Sequence, residues 1–170
     1  MPLKSAIREL LLNPGEYAVG DASCRMRTVL GSCVSITLWE PQRRVGAMSH
    51  FLLADRGSSP GEALDARYGE EALTLMLREL AAVGVQAKQC QAKIFGGANM
   101  FPDATTPGVL HVGRRNGESA RGWLRQLGIT VQSESLFGCG HRQIVFDVAS
   151  GDVWSRQVQP SSGFSQLEGE

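Results

Sequence analysis

The sequence predicts an α+β fold in which helices pack on a mixed, largely antiparallel β-sheet. Two patterns predict it: apolar residues that alternate with polar ones, as in half-buried strands, and apolar residues at three- and four-residue spacing, as in amphipathic helices. The two kinds of segment do not alternate strictly, and hairpins at both ends of the chain favour antiparallel pairing. At 170 residues the chain is long enough for one well-packed core, so we expect a single domain over residues 1–158.

The first element is expected to be a short helix over residues 3–12. Ile7, Leu10 and Leu11 are its apolar residues, and they stand at helical spacing. The sequence Asn13-Pro14-Gly15 would end this helix, because proline and glycine interrupt regular structure.

A β-hairpin is predicted next. After a short strand at 17–19, apolar and polar residues alternate over 34–38, and a second strand follows over 45–53. The segment 40–44, Glu-Pro-Gln-Arg-Arg, would form the turn between the two strands. A polar loop rich in Gly, Ser and Pro is then expected at 55–62.

Two helices are predicted in the rest of the chain. The clearer one has apolar residues at helical spacing over 68–83 and ends at Gly84. The other would begin with Asn116 as its N-cap and end at Gly128. Further strands are predicted at 91–95, 129–133, 143–148 and 152–158. The polar segment 159–170 is expected to be a disordered tail.

Charge and hydropathy exclude several classes of protein. The chain has 17 Lys and Arg against 17 Asp and Glu and no basic tract, so it lacks the charge pattern of a nucleic-acid-binding protein. No apolar run is long enough to span a membrane, and the N-terminal segment does not resemble a signal peptide. We therefore expect a cytoplasmic protein.

The four cysteines, Cys24, Cys33, Cys90 and Cys139, have irregular spacing and form no CxxC pair. Free thiols in a reducing compartment are the better interpretation. Cys139 lies two residues from His141, but a structural zinc ion needs four ligands, and a glycine-rich turn explains this stretch as well. Neither a metal nor a cofactor is expected.

Cys33 and His50 are the strongest candidates for a reactive site. They lie eight and nine residues from Pro41 in the predicted turn, so we expect them to be cross-strand neighbours with Cβ atoms about 4.5–5.5 Å apart. An imidazole can accept a proton from a thiol and give it to a leaving group, and such a pair predicts a lowered pKa for Cys33. The alternative is that both residues are packed core residues.

Gly31 and Ser32 precede Cys33 and are candidate binding residues. A glycine before a nucleophile permits a sharp turn, and the backbone N–H groups of such a turn can stabilise an oxyanion. The alternative interpretation is an ordinary junction between a loop and a strand.

Four stretches of the sequence resemble the chemoreceptor glutamine deamidase family, CheD. They are TVLGSCVSITLWEP, GAMSHFLL, AKIFGGANMF at 92–101 and HVGRRNGESARGWLRQLGI. The similarity extends from about Tyr17 to Val158. It implies an α/β (α+β) sandwich related to bacterial deamidase toxins, with one deamidase domain over 1–158.

The resemblance also implies roles for single residues. Cys33 matches the family's nucleophile, His50 its histidine, and Thr28 its threonine. Thr28 lies five positions before Cys33, which in a regular strand would put the two side chains on opposite faces unless the chain bends. Gly96 and Gly97 of the KIFGGA segment are further candidate binding residues.

The activity implied is that of a cysteine-dependent amidohydrolase, a protein-glutamine glutaminase. It would convert receptor glutamines to glutamates with release of ammonia, and demethylation of receptor glutamyl methyl esters is a second implied activity. The implied partners are the cytoplasmic domain of methyl-accepting chemotaxis receptors and a CheC-type phosphatase. Two alternatives stay open: a non-enzymatic adaptor that binds a receptor or such a phosphatase, and a cysteine peptidase.

Overall fold

The structure, a computed structural model, describes residues 6–57, 61–101 and 111–158. The predicted tail at 159–170 and part of the predicted loop at 55–62 lie outside these residues. The strands are β1 Arg8–Leu11, β2 Tyr17–Gly20, β3 Cys24–Leu30, β4 Val34–Glu40, β5 Val45–Ser49, β6 Gln91–Gly96, β7 Thr130–Leu136, β8 His141–Asp147 and β9 Val153–Val158, and the helices are α1 Gly69–Ala82 and α2 Val112–Gln126.

The strands form two sheets. Sheet A has the order β1-β3-β8-β9, and sheet B has the order β2-β5-β4-β6-β7. Two pairings, β1 with β3 and β6 with β7, are parallel, and the others are antiparallel. The predicted α+β class with mixed, largely antiparallel pairing is thereby confirmed. The division of the strands between two sheets was not predicted.

Sheet B lies between two apolar cores. Met26 and Phe146 of sheet A pack with Met48 and Phe95 of sheet B in the core between the sheets. The opposite face of sheet B packs against α1 and α2. Alternate residues of β4 enter the two cores, which explains why nearly the whole strand is buried.

The predicted helix at 3–12 is wrong in the described part of that range. Residues 8–11 form β1, which pairs in parallel with the first half of β3. Leu10 packs in the core between the sheets, whereas Leu11 is 68% exposed. This is the alternation of a strand, and pairing with β3 prevails over the weak helical pattern of a short segment.

The other predicted elements agree with the structure only in part. β3 was missed because its buried residues include the polar Thr28, while its exposed residues, Arg27 and Val29, do not share a polar character. The second helix begins at Val112, so Asn116 is not its N-cap but a buried residue in its interior. The predicted hairpin is confirmed as β4 and β5.

In the described residues, no helix is both long and apolar enough to cross a membrane.

Candidate active site

The chain passes from sheet A to sheet B at Gly31 and Ser32. Thr28, near the end of β3, is 2% exposed and lies on the inward face of sheet A. Cys33 immediately precedes β4 of sheet B and packs against the core between the sheets. The odd spacing of Thr28 and Cys33 therefore does not separate them, because the two residues do not belong to one regular strand.

His50 is held by its backbone beside the turn at 13–16. Its N–H donates to the Glu16 carbonyl at 3.0 Å, and its carbonyl accepts from the Gly15 N–H at 2.8 Å. The residue is only 2% exposed. The Asn13-Pro14-Gly15 segment thus ends no helix, but it fixes the position of the histidine.

Thr28 fixes the tautomer of His50. The Thr28 hydroxyl lies 2.9 Å from the Leu12 carbonyl oxygen and 2.6 Å from His50 Nδ1. A carbonyl oxygen can only accept, so the single hydroxyl proton goes to Leu12. Thr28 Oγ1 must then accept a proton from Nδ1–H, which leaves the lone pair of the neutral imidazole on Nε2.

Cys33 and His50 are diagonal neighbours, not the directly opposite pair that the turn spacing predicted. Val34 and Phe51 exchange both backbone hydrogen bonds, at 3.2 and 3.0 Å, so the ladder continues in register beyond β5. Ser35 is therefore opposite His50, and Cys33 is two residues further along the same face. Diagonal neighbours are typically about 7–8 Å apart.

The predicted distance was wrong because the turn is not symmetric about Pro41. The two side chains nevertheless share one face of sheet B. No hydrogen bond joins Cys33 to His50 within the part of the chain that the structure describes. Ser35, opposite His50, is fully buried and its hydroxyl has no partner among the described residues.

Burial favours the uncharged forms of the Cys33 thiol and the His50 imidazole. It raises the pKa of the Cys33 thiol, an effect that the residue's own backbone N–H partly opposes. It lowers the pKa of His50 to about 4, although the charge of Glu16 acts in the opposite direction. At neutral pH the resting pair is a thiol beside a neutral imidazole. The lowered thiol pKa expected from the sequence is wrong.

Gly96 and Gly97 lie directly against the Cys33 backbone. Gly97 N–H donates to the Cys33 carbonyl at 2.9 Å. Gly96 has φ +109°, and a Cβ at this position would lie 2.2 Å from the Cys33 carbonyl oxygen. Both glycines therefore permit a close approach of two backbone segments. Gly97 also lines a cavity with Asn99 and His111, and a binding role of the two glycines stays a prediction.

The carbonyls on either side of Ser32 are held as well. Gly31 O accepts from the Ala98 N–H at 3.0 Å, and Ser32 O accepts from the Asn116 side chain at 3.1 Å. By contrast, the N–H groups of Ser32 and Cys33 donate to no other described residue. Backbone donors beside a thiol that bond to no other residue are candidates for stabilising an oxyanion in acyl transfer.

Sequence reasoning missed two buried polar residues that support this backbone. Arg142 of β8 is 2% exposed and donates to Gly96 O at 3.1 Å and to Phe137 O, and burial lowers its pKa. Asn116 of α2 donates to two carbonyls in different segments. The only available signal was a polar residue inside an apolar pattern, which does not identify its partners.

The remaining cysteines lie elsewhere. Cys24 and Cys90 are buried, and burial is the main cause that raises the pKa of Cys90 to about 11. Cys139 is partly buried, and its carbonyl accepts from Gln157 Nε2 at 2.6 Å. His141 begins β8 and is exposed. Across the ranges described, no three His, Cys, Asp or Glu side chains are grouped to hold a metal ion.

Comparison with known proteins identifies relatives of this chain. Residues 52–157 match a family model described as CheD chemotactic sensory transduction. The match begins two residues after His50, so it does not itself include the Thr28, Cys33 and His50 positions.

Two curated relatives match over most of their length. The "Probable chemoreceptor glutamine deamidase CheD 2" of Albidiferax ferrireducens is 64% identical over 153 residues, which are 89% of this chain and 88% of the relative. The "Probable chemoreceptor glutamine deamidase CheD 1" of Chromobacterium violaceum is 45% identical over 158 residues, 93% of this chain and 82% of the relative. Among solved structures, a Neisseria meningitidis protein described as family-model DUF152 is 16% identical, with a TM-score of 0.35 over 72% of this chain and 51% of that one.

Proposed function

This chain belongs to the CheD family, and from that premise we propose that it is a cysteine-dependent protein-glutamine glutaminase. It hydrolyses glutamine side-chain amides to glutamate and releases ammonia. Its substrates are the cytoplasmic domains of methyl-accepting chemotaxis receptors, and the reaction takes place in the cytoplasm. The observation that carries the proposal is the Leu12–Thr28–His50 hydrogen-bond chain, which supports an unprotonated Nε2 on a His50 that shares one face of sheet B with Cys33.

The reaction begins with a neutral thiol. His50 Nε2 accepts the Cys33 proton while the sulfur attacks the carbonyl carbon of the glutamine amide. The carbonyl double bond opens, and the negative charge on oxygen is stabilised by the backbone N–H groups of Ser32 and Cys33. General-base transfer at the moment of attack fits the uncharged resting pair, since no thiolate has to exist beforehand.

The remaining steps return the site to its starting state. The imidazolium of His50 gives its proton to the departing nitrogen, the C–N bond breaks, and ammonia leaves a thioester on Cys33. Nε2 then takes a proton from water as the water oxygen attacks the thioester. When the C–S bond breaks, the sulfur recovers a proton and glutamate is released. Thr28 holds the Nδ1 proton throughout and stabilises the imidazolium.

A glutamyl methyl ester presents the same carbonyl with a better leaving group. The same residues would therefore hydrolyse receptor methyl esters and release methanol in place of ammonia. Because the chemistry is identical up to the departing atom, both activities should depend on Cys33 to the same degree.

The family resemblance also suggests a partner, a CheC-type phosphatase, and a purely adaptor role is the competing function. In that case the fold would bind a receptor or the phosphatase, and the thiol would be incidental. Cys33→Ala separates the two functions, because an adaptor would keep its effect in cells, whereas an enzyme would lose it.

The direct test is the intact mass of a receptor cytoplasmic fragment after incubation with the protein. Each deamidation exchanges an amide NH₂ for OH, a gain of about one dalton that peptide mapping can locate. Wild type should convert specific glutamines, and Cys33→Ala should convert none while keeping the wild-type circular dichroism spectrum. A folded Cys33→Ala variant that still deamidates the fragment would refute the proposal.

A further inference from the structure

Asn116 connects the two segments that carry the reactive residues. It lies inside α2, is 1% exposed, and donates through Nδ2 to Ser32 O at 3.1 Å and to Leu52 O at 2.8 Å. Ser32 directly precedes Cys33, and Leu52 follows His50 by two residues. An amide NH₂ group has two donors at a fixed angle, so one side chain holds both carbonyls in a fixed relation.

The bond to Ser32 O has a consequence for the next residue. The Ser32 carbonyl and the Cys33 N–H belong to the same peptide unit, which is planar and trans. In such a unit the C=O and N–H point in opposite directions. By holding the carbonyl towards α2, Asn116 directs the Cys33 N–H away from the helix, and this N–H donates to no other described residue.

The same bond strengthens the donor. A hydrogen bond accepted by a peptide carbonyl polarises the unit and makes its N–H a better donor. The neighbouring carbonyls, Gly31 O and Cys33 O, are held by backbone N–H groups of Ala98 and Gly97. Asn116 is the side chain that holds the middle one.

We infer that Asn116 is a positioning residue for the oxyanion: through the Ser32–Cys33 peptide it directs and polarises the Cys33 N–H. The inference rests on the proposed function, because an oxyanion forms only if the Cys33 thiol adds to a carbonyl. A positioning role of Asn116 differs from a purely structural role in one respect that can be measured. A residue that acts on the oxyanion affects acyl transfer but not reactions of the same thiol that form no oxyanion.

The test uses Asn116→Leu, which keeps a similar volume and removes both donors, and Asn116→Ala in case the larger side chain does not fit. Glu40→Ala is the matched control for stability. Glu40 lies at the far end of β4, and its carboxylate accepts from the Gln42 and Arg43 N–H groups at 3.1 and 2.7 Å. Its removal should destabilise the protein without affecting the peptide units around Cys33.

Two rates are measured on each folded variant: deamidation of a receptor fragment, and alkylation of Cys33 by iodoacetamide. Alkylation is a displacement at a saturated carbon and forms no oxyanion. We expect Asn116→Leu to lower kcat for deamidation about 10–100-fold, less than the roughly 10²–10³-fold cost of removing an oxyanion donor altogether, with KM and the alkylation rate within about threefold of wild type. Glu40→Ala should change neither rate by more than about twofold.

Several outcomes would overturn the inference. One is a parallel fall of both rates, which would make Asn116 a general support of the loop. Another is an unchanged kcat in a folded variant. A third is failure of both Asn116 variants to fold while Glu40→Ala folds, which would assign the residue to stability alone.

A second probe keeps this test independent of the receptor. The second probe is a glutamine analogue with an aldehyde in place of the side-chain amide. The Cys33 sulfur should add to the aldehyde carbon, and the thiol proton passes to the aldehyde oxygen. Protection of Cys33 against iodoacetamide measures this addition. If wild type deamidates no receptor fragment, the proposed function fails. In that case the aldehyde must still protect Cys33 from iodoacetamide at least about tenfold less well in Asn116→Leu than in wild type. If it protects both proteins equally, the inference about Asn116 fails too.

Discussion

Thr28 and His50 come from different sheets, and their side chains meet in the interior with 2.6 Å between Oγ1 and Nδ1. The Thr28 hydroxyl donates its proton to Leu12 O, so in the Thr28–His50 hydrogen bond Nδ1–H is the donor and Oγ1 the acceptor. A neutral hydroxyl orients the ring but holds an imidazolium less firmly than a carboxylate would.

The first prediction concerns this contact. Thr28→Val keeps the shape of the side chain but removes the hydroxyl, and we expect it to lower the deamidation rate about 10–100-fold, the mild side of the general acid–base range. Thr28→Ser keeps the hydroxyl and should retain most activity. Rates on one receptor fragment decide the matter. Equal rates for wild type, Thr28→Val and Thr28→Ser would remove Thr28 from the site and leave a Cys–His pair.

The second prediction concerns stability at acid pH. The pKa of His50 is about 4 in the folded protein and about 6.5 when unfolded, so between these values the unfolded chain binds more protons. The stabilisation from neutral, buried His50 is complete above about pH 6.5 and is lost as the pH falls towards 4. A shift of this size corresponds to roughly 3 kcal/mol.

Urea unfolding at pH 7 and pH 4.5 measures the effect, with His50→Gln as the variant that cannot titrate. Wild type should lose more unfolding free energy than His50→Gln over this interval. If the two proteins lose the same amount, His50 is not the group responsible, and its low pKa is ruled out.

The third prediction concerns the reactivity of the thiol. Because burial raises the pKa of Cys33, its alkylation by iodoacetamide should be slow at pH 7 and should continue to accelerate beyond pH 9, with no plateau near neutrality. His50→Gln should change the rate at pH 7 by less than about threefold, since no ion pair is lost. Peptide mapping after timed labelling gives the rates. A plateau below pH 7 that disappears in His50→Gln would instead establish a thiolate–imidazolium pair.

The fourth prediction compares two glycine-to-alanine substitutions. Gly96→Ala would place a Cβ 2.2 Å from the Cys33 carbonyl oxygen at a residue with φ +109°, so the backbone around Cys33 must shift. We expect loss of nearly all activity and of about 2–4 kcal/mol in stability. Gly122→Ala lies in α2 with nothing within 4 Å of its Cβ, and it should gain about 0.5–1 kcal/mol. Urea midpoints and deamidation rates check both, and a fully active Gly96→Ala would contradict the described packing.

The sequence could predict those parts of the site that depend on local geometry. The β4–β5 hairpin follows from the alternation of apolar and polar residues and from the turn, so the sequence predicts that Cys33 and His50 share one face. The predicted pairing of the two strands differs from the observed register by two residues. Thr28 was harder to place, because no local pattern reveals that the chain changes sheets at Gly31. Spacing arguments assume one regular strand, and that assumption fails there.

The buried supports were beyond sequence reasoning for a different reason. Asn116 meets Ser32 across 84 positions of the chain, and Arg142 meets Gly96 across 46. Both are polar residues in otherwise apolar patterns, and their partners are backbone carbonyls, which every residue possesses. Side-chain identity alone therefore cannot select the partner, and only the packing of the elements does.

In the proposed mechanism, the change of sheets at Gly31 and Ser32 would make the rate depend on the spacing between the two β-sheets. Cys33 and His50 adjoin strands of sheet B, whereas Thr28 belongs to sheet A, so a change in the distance between the sheets would change the Thr28–His50 contact. Residues such as Phe146, whose ring lies 2.7 Å from where a Cβ on Gly46 would be, set that spacing from a distance. If the proposed mechanism holds, substitutions in the apolar core between the sheets should change turnover without altering Cys33, His50 or Thr28 themselves.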